Sequence, residues 1–520
     1  MKKKILEQSS KYMPYVLLAV LAMLFVITRF WRITTLPSGV HIDEAGMAYD
    51  AWCLSQYGVD RYLNSFPLYL INYGGGQSSL YAYLVALLFR LFGYHFIFLR
   101  IPSIIFSLFT VIFGMLICRE LFSERPYLSL LGGYLITITP YFILSSRIGM
   151  DCHLMLGLST IFLYCFIRAL KTQKISFYIF TGISGGLLLY TYALSYLVLP
   201  FFLFLSFLYT LVVKKFSFMK WIVMGIPMGL LASPLIAIQL INLWDLPEIQ
   251  MGPFTLTKLP GYRVGELGSF SFSNLKSVIV TLFTSDIWAY NSIPKFSNLY
   301  WISIPLVIIG FFHCIYLLVI SIRKREMDLK LFFLLWTFSI LFVMSHIYTC
   351  LTQLNACFFV MVVFIIDAVS LIFPLPKKWP DITGKAALLL TYTVFFLCFS
   401  NYYYMGRYTQ ENYPMRMFFN LQTDAISFID EHPEYGEKGV QTAIPSTVYA
   451  LSCLKSPYDL GITLDNTFVE DGYVHCSYLG PIEEGYYYIV DDTFPEYIIE
   501  LKERGFTEIP YVHYSLFYKE

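Results

Sequence analysis

Apolar stretches as long as the ~20 residues that cross the hydrocarbon core of a bilayer recur from Met13 to about Ser400, with only short polar connections between them. Inside hydrocarbon no water satisfies the backbone, so consecutive runs of this kind fold as helices packed in a bundle. Eleven spans are predicted, near 12–34, 96–119, 126–146, 153–170, 175–193, 196–213, 219–241, 299–320, 330–349, 353–375 and 385–401. The break between the fifth and sixth rests only on Tyr190-Thr191-Tyr192. With 57% apolar and 14% charged residues, a water-soluble domain is excluded. The first run is too long for a cleaved leader and is followed by Arg29, Trp31 and Arg32 rather than small residues, so it is expected to stay as an anchor.

Charge orients the bundle. More than half of the 36 Lys and Arg fall in the N-terminus and the loops 119–125, 168–174, 214–220, 323–330 and 377–385. The positive-inside rule makes these the cytoplasmic pieces of a multi-pass cell-membrane protein. An odd span count then sends everything after Ser400 to the extracytoplasmic side. The plan is a membrane module, 1–401, and a small mixed α/β domain, 402–520. Within that domain Thr442–Leu451 and Tyr486–Val490 alternate like strands, and Asp424–Glu431 and Glu496–Arg504 have helical periodicity. Cys453 and Cys476 are its two cysteines; a disulfide between them depends on a separation that sequence does not reveal.

The first outer loop, about 35–95, carries the pair Asp43-Glu44. Adjacent carboxylates at the mouth of a membrane bundle are costly to hold and suit proton abstraction or cation binding. If a helix starts near His41, Asp43, Met47 and Asp50 share one face and Glu44 points about 100° away. Gly74 to Gly76 is expected to be a flexible loop, and Leu80–Phe92, too short to cross alone, an interfacial helix. After the third span, Arg147 and Asp151 are spaced to pair across one helical turn; with His153 they also form a polar cluster that a cavity would accept. The second large outer loop, about 242–298, mixes Trp244, Tyr262, Trp288 and Tyr290 with Asp286 and Asn291, a set suited to a sugar face, a polyprenyl chain or an interfacial belt. His346, followed by Gln353 and Asn355, faces the same side, and Asp367 is a lone acid deep in the tenth span, to be held there either neutral or paired with a neighbouring helix.

Taken in order, Asp43-Glu44-Ala45, Gln77-Ser78-Ser79-Leu80-Tyr81, Leu91-Phe92-Gly93, Arg100-Ile101-Pro102-Ser103, Pro140 and Arg147-x-x-x-Asp151 resemble the N-terminal module of the GT-C glycosyltransferases. The likeness is strongest to bacterial members of the protein O-mannosyltransferase and aminoarabinose transferase type, glycosyltransferase family 39-like, and covers about residues 10–200. It implies a polyprenyl-phosphate-sugar donor, a glycan, polymer or protein acceptor, and an inverting transfer on the extracytoplasmic face with Asp43 as base. Glu44 and Asp151 join Asp43 as catalytic candidates. Asp50, Arg61, Gln77, Tyr81, Arg147, His153, Arg263 and His346 are candidate substrate contacts. For the departing phosphate, Arg147 is favoured and Arg263 second among Arg61, Arg147, Lys258, Arg263 and Lys295. Where relatives place a basic residue near Gln353 to Asn355, this chain has none.

No cofactor is expected. Asp43, Glu44, Asp151, His153 and His346 hold enough oxygen and nitrogen for a divalent cation but show no recognisable ligand spacing, and no Walker-type loop calls for a nucleotide. No nucleic-acid partner is expected either. Two other classes share this composition. A lipid-linked-sugar flippase or solute transporter would hold its ionisable groups near mid-membrane, where only Asp367 lies. A non-catalytic subunit of an envelope-polymer assembly machine would have no use for acids at the rim.

Overall fold

The computed structural model describes residues 2–72, 75–261, 268–284, 292–347, 350–373, 379–406, 408, 418–442, 446–460, 468–470, 473–475 and 479–520. Helix α1 (Lys2–Phe30) leads into a loop-borne unit made of β1 (Val40–His41), α2 (Ile42–Tyr57), the hairpin β2 (Tyr69–Asn72) and β3 (Gly75–Ser78), and α3 (Leu80–Phe92). The bundle continues with α4 (Ile101–Leu121), α5 (Tyr127–Ile138), α6 (Pro140–Ser145), α7 (Asp151–Thr172), α8 (Ile175–Leu188), α9 (Ser195–Val212) and α10 (Phe218–Leu243). After a short hairpin, β4 (Ile249–Met251) and β5 (Phe254–Leu256), come α11 (Phe272–Phe283), α12 (Ser303–Lys324), α13 (Leu331–Met344), α14 (Asn355–Ile372) and α15 (Trp379–Tyr404).

Among the described residues, 8 helices are long and apolar enough to cross a membrane, and each coincides with an expected span. The other three expected spans are shorter helices: α5 has 12 residues, α8 has 14 and α13 has 14. At ~1.5 Å per residue, α5 reaches only ~18 Å. Its run breaks at Thr139, because Pro140 has no N–H to continue the ladder and instead opens α6. The weak division at Tyr190-Thr191-Tyr192 is a real turn between α8 and α9. Helices α7 and α14 sit at the centre with most of their surface buried, whereas α1 and α15 turn most of theirs outward. Of the two states open to Asp367 the structure has the paired one: fully buried in α14, it meets Lys330 Nζ at 2.8 Å and His313 Nδ1 at 2.5 Å, a triad that ties α14 to α12 and to the start of α13.

Beyond α15, which runs past the expected boundary at 401 to Tyr404, β6 (Phe418–Phe419) and β7 (Gly439–Thr442) are followed by the small hairpin β8 (Phe468–Glu470) and β9 (Tyr473–His475), then by β10 (Tyr486–Asp491), β11 (Thr507–Pro510) and β12 (Tyr514–Tyr518). A four-stranded sheet has the order β11-β12-β10-β7, with β7 parallel to β10 and the other pairs antiparallel. Helices at Thr423–Glu431 and Pro495–Glu503 match the periodicity seen in the sequence. The stretch 442–451 differs: after Thr442 it becomes the helix Ser446–Cys453. Its apolar residues Val448, Tyr449 and Leu451 share one core with Ala45, Met47 and Tyr49 of α2, so packing against another helix overrides local alternation.

Glycine explains how the first loop meets the start of the C-terminal region. β1 pairs antiparallel with β6, Val40 opposite Phe419 and His41 opposite Phe418. Gly39 sits at φ +74°, and a Cβ there would strike the Phe419 carbonyl, so only glycine allows this approach.

Candidate active site

The N-terminus of α2 places the first carboxylate. His41 is the N-cap; its Nδ1 accepts a hydrogen bond from the Asp43 amide at 3.1 Å, while its own amide donates to Glu44 Oε2 at 3.2 Å. This is a reciprocal capping box with a histidine in place of the usual hydroxyl. An accepting Nδ1 carries no proton, and burial pushes the imidazole below its ordinary pKa, against the pull of Asp43 and Glu44. The Asp43 side chain is 32% exposed, with Oδ2 3.7 Å from His41 Nδ1. Oδ1 accepts from Asn72 Nδ2 at 3.1 Å. Asp43 is thus an oriented carboxylate with an accessible edge.

The neighbouring acids are sealed. Glu44 accepts from Arg100 Nε at 3.0 Å, Arg100 Nη2 at 3.3 Å and the Gly149 amide at 2.8 Å, besides the His41 amide. Both partners are fully buried. A Cβ on Gly149 would come within 3.0 Å of Glu44 Oε1. Asp50 and Arg61 form a second buried pair, Oδ1 to Nε at 2.9 Å and Oδ2 to Nη2 at 2.7 Å. The expectation of one helical face presenting two carboxylates is therefore corrected: the helix starts where predicted, but Arg61 folds back over Asp50, and both leave the solvent-facing set. Tyr81 likewise belongs to the scaffold, donating to the Leu99 carbonyl at 2.6 Å from a buried position.

Arg147 and Asp151 do not pair. Residues 147–150 lie outside a helix, which begins only at Asp151. All five N–H groups of a guanidinium are committed here: Arg147 Nη1 to the Thr28 and Arg29 carbonyls at 3.0 and 2.9 Å, Nη2 to those of Trp31 and Leu36 at 2.7 and 3.0 Å, and Nε to Tyr403 Oη at 3.2 Å. It caps the end of α1 and is fully buried. The expectation that it meets a lipid phosphate is corrected on that ground. Asp151 instead turns towards the first loop, accepting from the Ser78 amide at 3.2 Å and the Cys152 amide at 2.7 Å. His153 Nδ1 pairs with the Ile148 carbonyl at 3.0 Å and stays buried.

Beside the Asp151 segment lie buried polar atoms with no hydrogen-bond partner among the described residues, Gln77 Oε1 and Asn355 Oδ1, and next to them the Tyr196 hydroxyl meets that of Ser78. Buried polar atoms are rarely left in this state, and a cluster of them asks for a polar occupant. Asn355 reaches the same segment through its amide, which donates to the Cys152 carbonyl at 2.8 Å. Next to this cluster, an apolar groove of about 490 Å³ runs between α9 and α13, lined by Pro200, Phe201, Phe204 and Phe342, with Tyr196 and His346 also in its wall. His346 Nδ1 lies 2.9 Å from the Phe342 carbonyl. Among the described residues, no group of three or more His, Cys, Asp or Glu is arranged to hold a metal ion.

Asn72, Tyr196 and Phe418 were not singled out from the sequence; only the glycines beside Asn72 drew attention to its stretch. Of the expected flexible loop Gly74 to Gly76, Gly74 lies outside the described residues, while Gly75 and Gly76 open β3, paired with Asn72 and Ile71, and the ring of Tyr69 packs where a Cβ of Gly76 would stand. Arg263, Tyr262, Asp286, Trp288, Tyr290, Asn291 and Cys476 lie outside the described residues. Lys258 pairs with Asp245 at 2.8 Å, and Lys295 stands over the Tyr402 ring at 4.9 Å.

Residues 77–237 match the family model described as dolichyl-phosphate-mannose-protein mannosyltransferase. No curated protein matches the sequence. Among solved structures, ArnT from Cupriavidus metallidurans in the apo state is similar over 98% of both chains, with a TM-score of 0.55 and 11% identity. The same protein bound to undecaprenyl phosphate matches over 97% of both chains, with a TM-score of 0.52 and 12% identity. The chain is a polytopic membrane protein of the GT-C glycosyltransferase fold, bearing a small strand-containing C-terminal region.

Proposed function

We propose that this protein transfers a sugar from a polyprenyl-phosphate-linked donor to an acceptor hydroxyl, at the bundle end where the first loop meets the C-terminal region, and that this end is extracytoplasmic. The observation that carries the reading is selective exposure: of the first-loop acids Asp43, Glu44, Asp50 and Asp60, only Asp43 keeps an open carboxylate edge. The hairpin that supplies its partner Asn72 also carries Ser78 to Asp151 and the polar cluster, and Tyr196 of that cluster lines the apolar groove. In the reaction the acceptor O–H gives its proton to Asp43 Oδ2 as its oxygen bonds to the anomeric carbon. The bond from that carbon to the phosphate oxygen breaks on the opposite face, and the polyprenyl phosphate leaves with the electron pair. A single displacement inverts the centre. Asn72 holds the other carboxylate oxygen in place, while Asp151, Gln77, Ser78, Tyr196 and Asn355 supply partners for sugar hydroxyls.

The groove between α9 and α13 takes the first isoprene units, and His346 at its wall meets the phosphate, in the place that committed Arg147 cannot fill. The undecaprenyl phosphate in the ArnT structure and the family model's description support this donor class. The test is release of polyprenyl phosphate by the purified protein from a panel of polyprenyl-phosphate sugars, with and without extracts of surface glycan and protein as acceptor. Turnover of one donor supports the reading, and inertness to every donor with every acceptor defeats it. For His346→Ala, KM for the donor is expected to rise about tenfold, the loss of one charge-assisted hydrogen bond of ~1.5 kcal/mol, with kcat within twofold of the parent. An unchanged KM would remove the histidine from the phosphate site.

A further inference from the structure

The C-terminal region reaches into the candidate site through one side chain. Phe418 stands on β6, whose antiparallel pairing with β1 sets it opposite His41. The two rings meet edge to face at 5.4 Å and 75°. Phe418 also shares a buried apolar cluster with Ile148, Met150 and Cys152, the segment that leads into Asp151. One ring, 9% exposed, therefore fills the gap between the cap of the Asp43 helix and the start of the Asp151 helix. Those segments come from residues 40–44 and 148–152 of the sequence and are also tied by the Glu44 bond to the Gly149 amide.

We propose that Phe418 is a positioning residue for Asp43, so that docking of the C-terminal region sets the geometry of the first-loop carboxylate. The inference rests on the transferase reading. Phe418 touches neither donor nor acceptor; it acts by holding the His41 ring in place and away from water. Covered, the imidazole stays neutral and its Nδ1 keeps accepting the Asp43 amide. Uncovered, it takes up a proton at higher pH, gives up the cap and sets a positive charge beside Asp43. Among the described residues, the charged groups that act on His41 include Asp43 and Glu44 from α2, with Arg100 paired to Glu44; β6 brings the apolar Phe418 and Phe419, and the start of α7 brings Cys152 in the Phe418 cluster.

The sign follows directly. The folded His41 titrates below its ordinary value of ~6.5, so the cap is intact at neutral pH and is lost as pH falls through that lowered value. In Phe418→Ala the loss begins at higher pH, nearer 6.5. Expected for this variant are a kcat lower by about 10- to 100-fold, the scale of a misplaced catalytic group, KM for the donor within twofold, and an acid limb of the pH profile moved upward. Phe418→Leu, which keeps an apolar cover, should restore most of kcat. Gly39→Ala, which pushes β6 away without altering either ring, should reproduce the shift. In Phe418→Ala combined with His41→Asn, a cap that does not titrate, the limb should return. Independently of activity, the imidazole resonances of the detergent-solubilised protein, assigned through His41→Asn, should show His41 below 6.5 in the parent and higher in Phe418→Ala. An active parent whose Phe418→Ala variant has the same kcat and the same acid limb would overturn the inference, as would an unmoved His41 titration. An inert parent would defeat only the transferase reading and leave the titration to decide this one.

Discussion

Asp43→Asn is expected to lose about 10²- to 10⁴-fold in kcat, the usual contribution of a positioned general base, while the protein accumulates and melts like the parent. The two side chains are isosteric, and Oδ1 keeps accepting from Asn72 Nδ2. The carboxylate is partly exposed, so removing its charge strands no buried partner. What disappears is the lone pair on Oδ2 that would take the acceptor's proton. The measurement is single-turnover sugar transfer at saturating donor beside a thermal melt of the same preparation. Transfer within threefold of the parent would end the assignment of Asp43 as base, whatever the melt shows.

Glu44→Ala and Arg100→Ala should do the reverse and act on stability first. The Glu44 carboxylate collects donors from His41, Arg100 and Gly149, and both charged groups are sealed from water. Breaking a buried pair by removing one member typically costs 3–5 kcal/mol, because the other charge remains without compensation. Arg100→Ala also frees the carbonyls of Ile33 and Gly39, which its guanidinium binds at 2.6 and 2.7 Å. Each single variant should therefore melt well below the parent, while the double variant should be less damaged than the sum of the two, since it leaves neither charge stranded. Thermal inactivation half-lives in detergent give this comparison even where unfolding is irreversible. A Glu44→Ala protein as stable as the parent but devoid of transfer would move Glu44 from the scaffold into the chemistry.

These opposite outcomes for adjacent residues show where sequence reading stops. The start of α2 near His41, and the presence of a carboxylate pair at a helix N-terminus beyond the first span, follow from local pattern. Which carboxylate stays available does not: it depends on Arg100, 56 positions from Glu44, and on Arg61, 11 positions from Asp50. Arg147 teaches the same lesson. An arginine four residues before an aspartate suits an ion pair or an anion site equally well, and only groups more than a hundred residues away in sequence, four carbonyls at the end of α1 and in the loop after it and the Tyr403 hydroxyl, claim its five donors.

Eight of the eleven spans, the carboxylate pair in the first loop and the mixed α/β end were legible from sequence alone, because hydropathy and periodicity are properties of consecutive residues and a bilayer punishes any violation of them locally. The short α5, the helix at Ser446–Cys453, the burial of Glu44 and Asp50, and the arrival of Phe418 beside His41 were decided by the tertiary structure. Each depends on which distant group supplies a hydrogen bond or covers an apolar face, and that choice is made only when the chain closes on itself.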